Sequence, residues 1–179
     1  MQLLIAPLLF FCWLFLLPLA AAEEQKEPSL TSCTLQAPPL VKWITFKPPP
    51  GWRQLEANQL PESVKAMVVG QGKGSVPPSI NLSLEHYAGT IETYLNTIDA
   101  INRSRGTPCQ RLSTLDTPAG RGYLLQVIDE TNWGAIQLIH LVLLDEGMIY
   151  LLTAAAPKEE FGQYYPLFFD AMKSLQFVR

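Results

Sequence analysis

The segment "AIQLIHLVLLDEGMIYLLTAAAP", Ala135 to Pro157, constrains the fold more than any other stretch of the chain. Two apolar runs are joined by Asp145, Glu146 and Gly147, residues that suit a tight hairpin turn. A strand with one wet face alternates apolar and polar residues. The first arm here is apolar at both parities from Ala135 to Leu144, with Gln137 and His140 as exceptions. The expectation is a hairpin covered on both faces, in the middle of a sheet. Asp145 and Glu146 end the run after about a dozen residues, which is a buried strand's length and too short for a membrane span.

The neighbouring segments supply the rest of that sheet and its covers. "CQRLSTLDTPAG" and "RGYLLQVIDE" read as a further hairpin with Pro118 to Gly120 in its turn. Upstream, Val41, Trp43 and Thr45 alternate with Lys42, Ile44 and Phe46 in a short strand that "KPPP" must end, because successive prolines lack ladder donors. After Gly51, "WRQL" reads as a short edge strand and "VKAMVVGQG" as a third strand. In "SINLSLEHY", Ile80, Leu82 and Leu84 share one face while Asn81, Ser83 and Glu85 share the other, so one side of this part of the sheet is expected to be wet. The period then switches: Ile91, Tyr94, Leu95, Ile98 and Ile101 form a helical stripe, with Thr90 as N-cap and Gly106 beyond the end. At the C-terminus Phe161, Tyr165, Phe168, Met172 and Leu175 recur at three and four. Pro166 implies either a kink there or a helix whose main part starts there, with "LQFV" running along the sheet edge. The fold class is α+β.

Residues Leu3 to Leu19 are almost unbroken apolar, and Ala20 and Ala22 precede Glu23 in a small-x-small cleavage pattern. Residues 1–22 therefore read as a signal peptide, the alternative being a retained anchor. Residues 23–39 are polar and punctuated by proline, a linker, and 40–179 form a single domain. The 13 basic and 16 acidic residues are dispersed, which argues against a general nucleic-acid surface. Cys12 leaves with the signal, so Cys33 and Cys109 are the candidates for one disulfide in an exported product, or for two unpaired thiols. "LTSC" ending at Cys33 imitates a lipid-attachment box, but the charged residues before it cannot continue an apolar signal core.

"GQGKGS", Gly70 to Ser75, is the one approach to a phosphate-binding loop. The five-before position of Gly72 is Met67, the required hydroxyl is displaced to Ser75, and Pro77 and Pro78 lead into a strand rather than a helix N-terminus. Nucleotide binding is not expected, and no cofactor is implied. His86 continues the apolar parity of its strand and is expected to be partly buried; His140 is expected in the core. No metal-ligand spacing, G-x-S-x-G elbow or carboxylate pair emerges, although Glu85, Asp116, Asp129 and Asp145 are available. Arg103, Arg105, Arg111 and Arg121 are dense enough to suggest a partner-binding patch if they converge, with Lys73 and Trp133 as further partner candidates. Trp43, Trp52 and Tyr87 lie near strand ends, where they either line a site or close a core. Asn81-Leu-Ser83 and Asn102-Arg-Ser104 are glycosylation sequons.

Taken with that order of elements, "FKPPPGW" at Phe46 to Trp52, "PSINLSLE" at Pro78 to Glu85 and "FFDAMKSLQF" at Phe168 to Phe177 resemble the PsbP-like superfamily, which includes DcrB-like and LpqN-like bacterial exported proteins. The resemblance covers about Val41 to Arg179. It implies an α/β/α sandwich around a central, mainly antiparallel sheet, with no catalytic constellation to carry over. A non-enzymatic exported accessory protein of the bacterial envelope is the leading expectation, periplasmic or secreted, binding a protein or a small apolar ligand through one sheet face. The alternatives are a small hydrolase or redox protein built on His86 or His140 with Cys109, and a structural protein held to the membrane by Leu3 to Leu19.

Overall fold

In a computed structural model the described residues are 42–74 and 76–178. The Ala135–Pro157 hairpin lies at the centre of the main sheet as strands β7 (Gly134–Asp145) and β8 (Met148–Pro157). Its turn runs through Glu146 and Gly147, both at positive φ (45° and 78°). Two successive left-handed residues are the type I′ geometry, whose twist matches that of the strands it joins. Glutamate is an uncommon occupant there. Lys42 Nζ holds its carboxylate at 3.0 Å and that of Asp145 at 2.8 Å.

The other strands are β2 (Arg53–Gln54), β3 (Val64–Val69), β4 (Ser79–His86), β5 (Gln110–Thr117) and β6 (Gly120–Thr131). The sheet order is β2-β3-β4-β8-β7-β6-β5, antiparallel throughout. The two C-terminal hairpins read from the sequence are one continuous meander, because β6 turns directly into β7 through Asn132 and Trp133. That turn copies the one before it. In "DTPAG" Thr117 Oγ1 accepts the Ala119 N–H (3.2 Å) and donates to the Gly120 carbonyl (2.8 Å). In "ETNWG" Thr131 Oγ1 accepts the Trp133 N–H (3.1 Å) and donates to the Gly134 carbonyl (2.8 Å). Both glycines sit at positive φ.

Residue parity on the central strands sorts the core into two layers. On one face Ile80, Leu82, Leu124, Ile139, Leu141 and Leu152 pack under helix α2 (Lys158–Lys173), which buries Phe161, Phe168, Ala171 and Met172. On the other face Leu125, Val142 and Ile149 pack under helix α1 (Ile91–Ser104), which buries Tyr94 and Leu95. Leu141 and Val142 are sequence neighbours that serve opposite layers, which explains why this strand shows no alternation. Expectation and structure therefore agree on an α/β/α sandwich. Gly122 on β6 is required by packing: a Cβ there would lie 2.5 Å from Leu141 Cδ1.

Helix α1 starts at the expected cap, with Thr90 Oγ1 accepting from the Thr93 N–H at 3.3 Å, and Gly106 turns the chain away at φ 75°. Helix α2 is continuous through Pro166 rather than starting there. The backbone bond that proline cannot make falls at Gly162, which is exposed and has open space around it. The C-terminal "LQFV" does not join the edge of the main sheet. Instead β9 (Gln176–Phe177) pairs with β1 (Ile44–Thr45) in a separate two-stranded ribbon, because Phe177 meets Tyr150 edge-on at 5.4 Å. The signal, the linker and Cys33 lie outside the described residues.

Candidate functional site

One rung of the sheet crosses its α1 side as Met67, Asn81, Thr153, His140, Leu125 and Arg111, each opposite the next on the neighbouring strand. Three polar residues in the middle of an apolar layer need partners. His140 Nδ1 lies 2.9 Å from Thr153 Oγ1, with both residues buried at 4% and 7% exposure. Burial lowers the His140 pKa to about 4, so its ring is neutral at ordinary pH. Asn81 Oδ1 accepts a long bond from Ser83 Oγ at 3.4 Å, and both side chains are half-buried.

Helix α1 covers only part of this face. Its buried residues pack on β6, β7 and β8, and it meets β4 through Tyr94, whose hydroxyl donates to Glu85 Oε2 at 3.0 Å. Burial first, then Glu85, pushes the Tyr94 phenol well up, so it remains a donor. Farther along, Val76 of the β3–β4 loop packs against the buried group of Val127, Ile136 and Leu138. Between these covers lies a ledge on β3, β4 and β8. Asn81 and Ser83 are flanked there by Met67, Val69 and Leu151, all half-buried. The one-sided alternation of "SINLSLE" pointed to this ledge. Its alignment with His140 needed the strand register, which the sequence does not carry.

Three of the four candidate arginines are engaged in ion pairs. Arg103 pairs with Asp99 one helical turn before it on α1. Arg111 reaches Glu92 (3.0 Å) and Asn96 (2.7 Å), while Arg121 holds Asp116 (2.7 Å) at the far end of the β5–β6 hairpin. Arg105 lies near Asp129, whose pKa rises through burial and Glu130 and is opposed by that cation. Asp99 also feels the Arg111 charge, so Arg103 and Arg111 share a neighbourhood beside α1. Lys73 is exposed in the β3–β4 loop, and Trp133 stands 46% exposed at the β6–β7 turn.

The elements proposed for hydrolase or redox chemistry also lie apart. His86 is exposed at the end of β4, where the strand leaves its covers, and is not the partly buried residue its parity suggested. Cys109 is half-buried against both α1-side clusters, and burial raises its thiol pKa. It lies two strands across and two residues along from His140, roughly 12 Å by ordinary sheet spacings. Among the described residues Cys109 is a free thiol, and Cys33, its candidate partner, lies outside them. Among the described residues, no three His, Cys, Asp or Glu side chains converge as metal ligands, and no helix is long and apolar enough to cross a membrane.

Two remaining features are structural. Trp52 meets Tyr164 and Phe168 edge-on and packs against Gly70, where a Cβ would come within 2.6 Å of its ring. Asn102 of the second sequon is buried, with Nδ2 donating to the Ile98 carbonyl at 2.9 Å, and the first sequon's Asn81 sits on an interior strand.

No protein-family model matches the chain, and no curated protein matches its sequence. Solved structures do match. LpqN, involved in cell envelope biogenesis of Mycobacterium tuberculosis, aligns over 80% of this chain and 87% of its own with 16% identity and a TM-score of 0.58. The cyanobacterial PsbP of Synechocystis aligns over 83% and 99% with 11% identity and a TM-score of 0.53. The Ran-binding protein Mog1p of Saccharomyces cerevisiae aligns over 75% and 90% with 16% identity and a TM-score of 0.50. At these identities the likeness is one of fold, and the chain shares the PsbP-like fold that "FKPPPGW", "PSINLSLE" and "FFDAMKSLQF" suggested.

Proposed function

We propose that this protein is an exported, non-enzymatic accessory protein of the bacterial envelope, holding a protein partner on the ledge formed by β3, β4 and β8. The observation that carries the reading is the half-buried set Met67, Asn81, Ser83 and Leu151: apolar area with two neutral hydrogen-bonding side chains at its centre. Such a surface suits a partner's backbone and apolar side chains better than a charged substrate. The buried, neutral His140 and its neighbour Thr153 support that ledge from within. Solved structures of this fold include a protein of cell envelope biogenesis and a Ran-binding protein, so the fold accommodates protein partners without selecting one. Export rests on the Leu3–Leu19 run and its Ala20/Ala22 cleavage pattern.

The test compares wild type with Ser83→Lys and with Gln163→Lys on the exposed side of α2. Each would be expressed with its native leader, and retention in envelope complexes would be followed by native gel and mass spectrometry. A protein complex lost in Ser83→Lys but kept in Gln163→Lys, at unchanged thermal stability, supports the ledge. A copurifying small apolar molecule with no protein, or complexes indifferent to Ser83→Lys, would overturn the protein-partner reading. A mature N-terminus at Glu23 would support export, and an uncleaved Leu3–Leu19 segment would contradict it.

A further inference from the structure

The two helices of the sandwich are attached in different ways. Helix α2 continues directly from β8 at Pro157 and drives Phe161, Phe168, Ala171 and Met172 into the larger core layer. Helix α1 buries only Tyr94 and Leu95 as fully sequestered apolar side chains, in a smaller layer that shares no buried residue with the first. Glycines flank it on both sides. Gly89 precedes its cap under the Tyr87 ring, which would lie 2.8 Å from a Cβ there, and Gly106 follows its end at φ 75° with nothing near its missing Cβ. Ile91 and Ile98 pack half-buried on the same layer and Tyr87 meets Tyr94 edge-on at 5.0 Å, while the side-chain hydrogen bonds that tie α1 to the sheet are few: Tyr94 to Glu85 at 3.0 Å, and Arg111 of β5 to Glu92 and Asn96 at 3.0 and 2.7 Å.

We infer that α1 is a hinged cover, which lifts from the sheet as a unit about Gly89 and Gly106 while the α2 layer stays folded. A segment opens below the global unfolding free energy when it contributes few buried contacts and its release leaves the rest of the core intact. Both conditions hold. Leu125, Val142 and Ile149 lie beneath α1, whereas Leu82, Leu141 and Leu152 keep their α2-side packing. The side-chain bonds to Glu85 and Arg111 are the latches, and they join α1 to strands at two different places, β4 and β5. Lifting α1 would extend the ledge at Asn81 into the apolar floor at Val142 and Ile149. The inference goes beyond the binding reading and does not depend on it.

Native-state hydrogen exchange on the full protein tests it, read by mass spectrometry across low urea concentrations. Amides of Leu95–Ser104 should exchange through an opening that depends weakly on urea, well before those of β7, β8 and α2. Tyr94→Phe and Arg111→Gln each remove a latch and should speed α1 exchange about fivefold while leaving β7 and β8 unchanged. Exchange of α1 and α2 together at the rate of global unfolding would overturn the inference. So would latch variants that accelerate every element equally. Neither outcome bears on the ledge, which the Ser83→Lys comparison tests separately.

Discussion

Protonation of His140 is the perturbation whose size the structure sets most directly. The ring sits on the α1 side of β7 with Nδ1 2.9 Å from Thr153 Oγ1, and burial lowers its pKa from 6.5 to about 4. The folded protein therefore holds a neutral ring where the unfolded chain takes up a proton. For a group with a lowered folded value the stabilising contribution is complete above the unfolded value and is lost as pH falls toward the folded one. The window thus runs from 6.5 down to about 4, and nothing further is lost below it. At about 1.4 kcal/mol per pH unit, complete protonation costs about 3 kcal/mol, most of it between about pH 7.5 and about pH 4.5. That is a large share of the roughly 5–15 kcal/mol that holds a domain together. Asp99 and Asp116, whose pKa values are lowered first by their hydrogen bonds to Arg103 and Arg121, also lose interactions in acid, so wild type alone is not diagnostic. Urea unfolding of wild type and His140→Gln at both pH values isolates the ring, since glutamine keeps a hydrogen-bonding group beside Thr153 but does not titrate. Wild type should lose about 2–3 kcal/mol more than the variant across that range. Equal losses would refute the buried, neutral histidine.

Three substitutions test the packing and capping arguments by thermal or urea unfolding. Gly122→Ala puts a Cβ 2.5 Å from Leu141 Cδ1 and 3.2 Å from the Val142 carbonyl, and should cost about 1–3 kcal/mol. Gly162→Ala, with open space around it in the interior of α2, should instead stabilise by about 0.5–1 kcal/mol. Thr90→Ala removes the cap on the Thr93 N–H and should cost about 1 kcal/mol, with the loss concentrated in exchange protection of α1.

Local patterns in the chain carried most of the fold. Unalternated apolar residues from Ala135 to Leu144 required two covers, and α1 and α2 are those covers. The stripe from Ile91 to Ile101 and the cap at Thr90 are properties of adjacent residues, so they were legible too. The β6–β7 turn was missed because Asn132-Trp133 is not a common turn pair, yet the T-x-x-G shared by Thr117–Gly120 and Thr131–Gly134 would have revealed it. Other features depend on partners distant in the chain. The pairing of β1 with β9 joins residues more than a hundred positions apart through Phe177 and Tyr150. The ion pairs of Arg103, Arg111 and Arg121 with Asp99, Glu92 and Asp116 depend on how those residues meet in space, and the arginine density alone does not reveal them. The ledge was half legible: alternation put Asn81 and Ser83 on an open face, and only the register set them beside Thr153 and His140.

The most direct measurement of the binding claim is site-specific photo-crosslinking in cells. A photoreactive residue at position 81 on the ledge is compared with one at 163 on α2. A partner held on the ledge gives a discrete protein adduct from position 81, lost when Ser83→Lys is added, and none from 163. Equal labelling from both positions, or an adduct from 163 alone, would contradict a binding face on β3, β4 and β8.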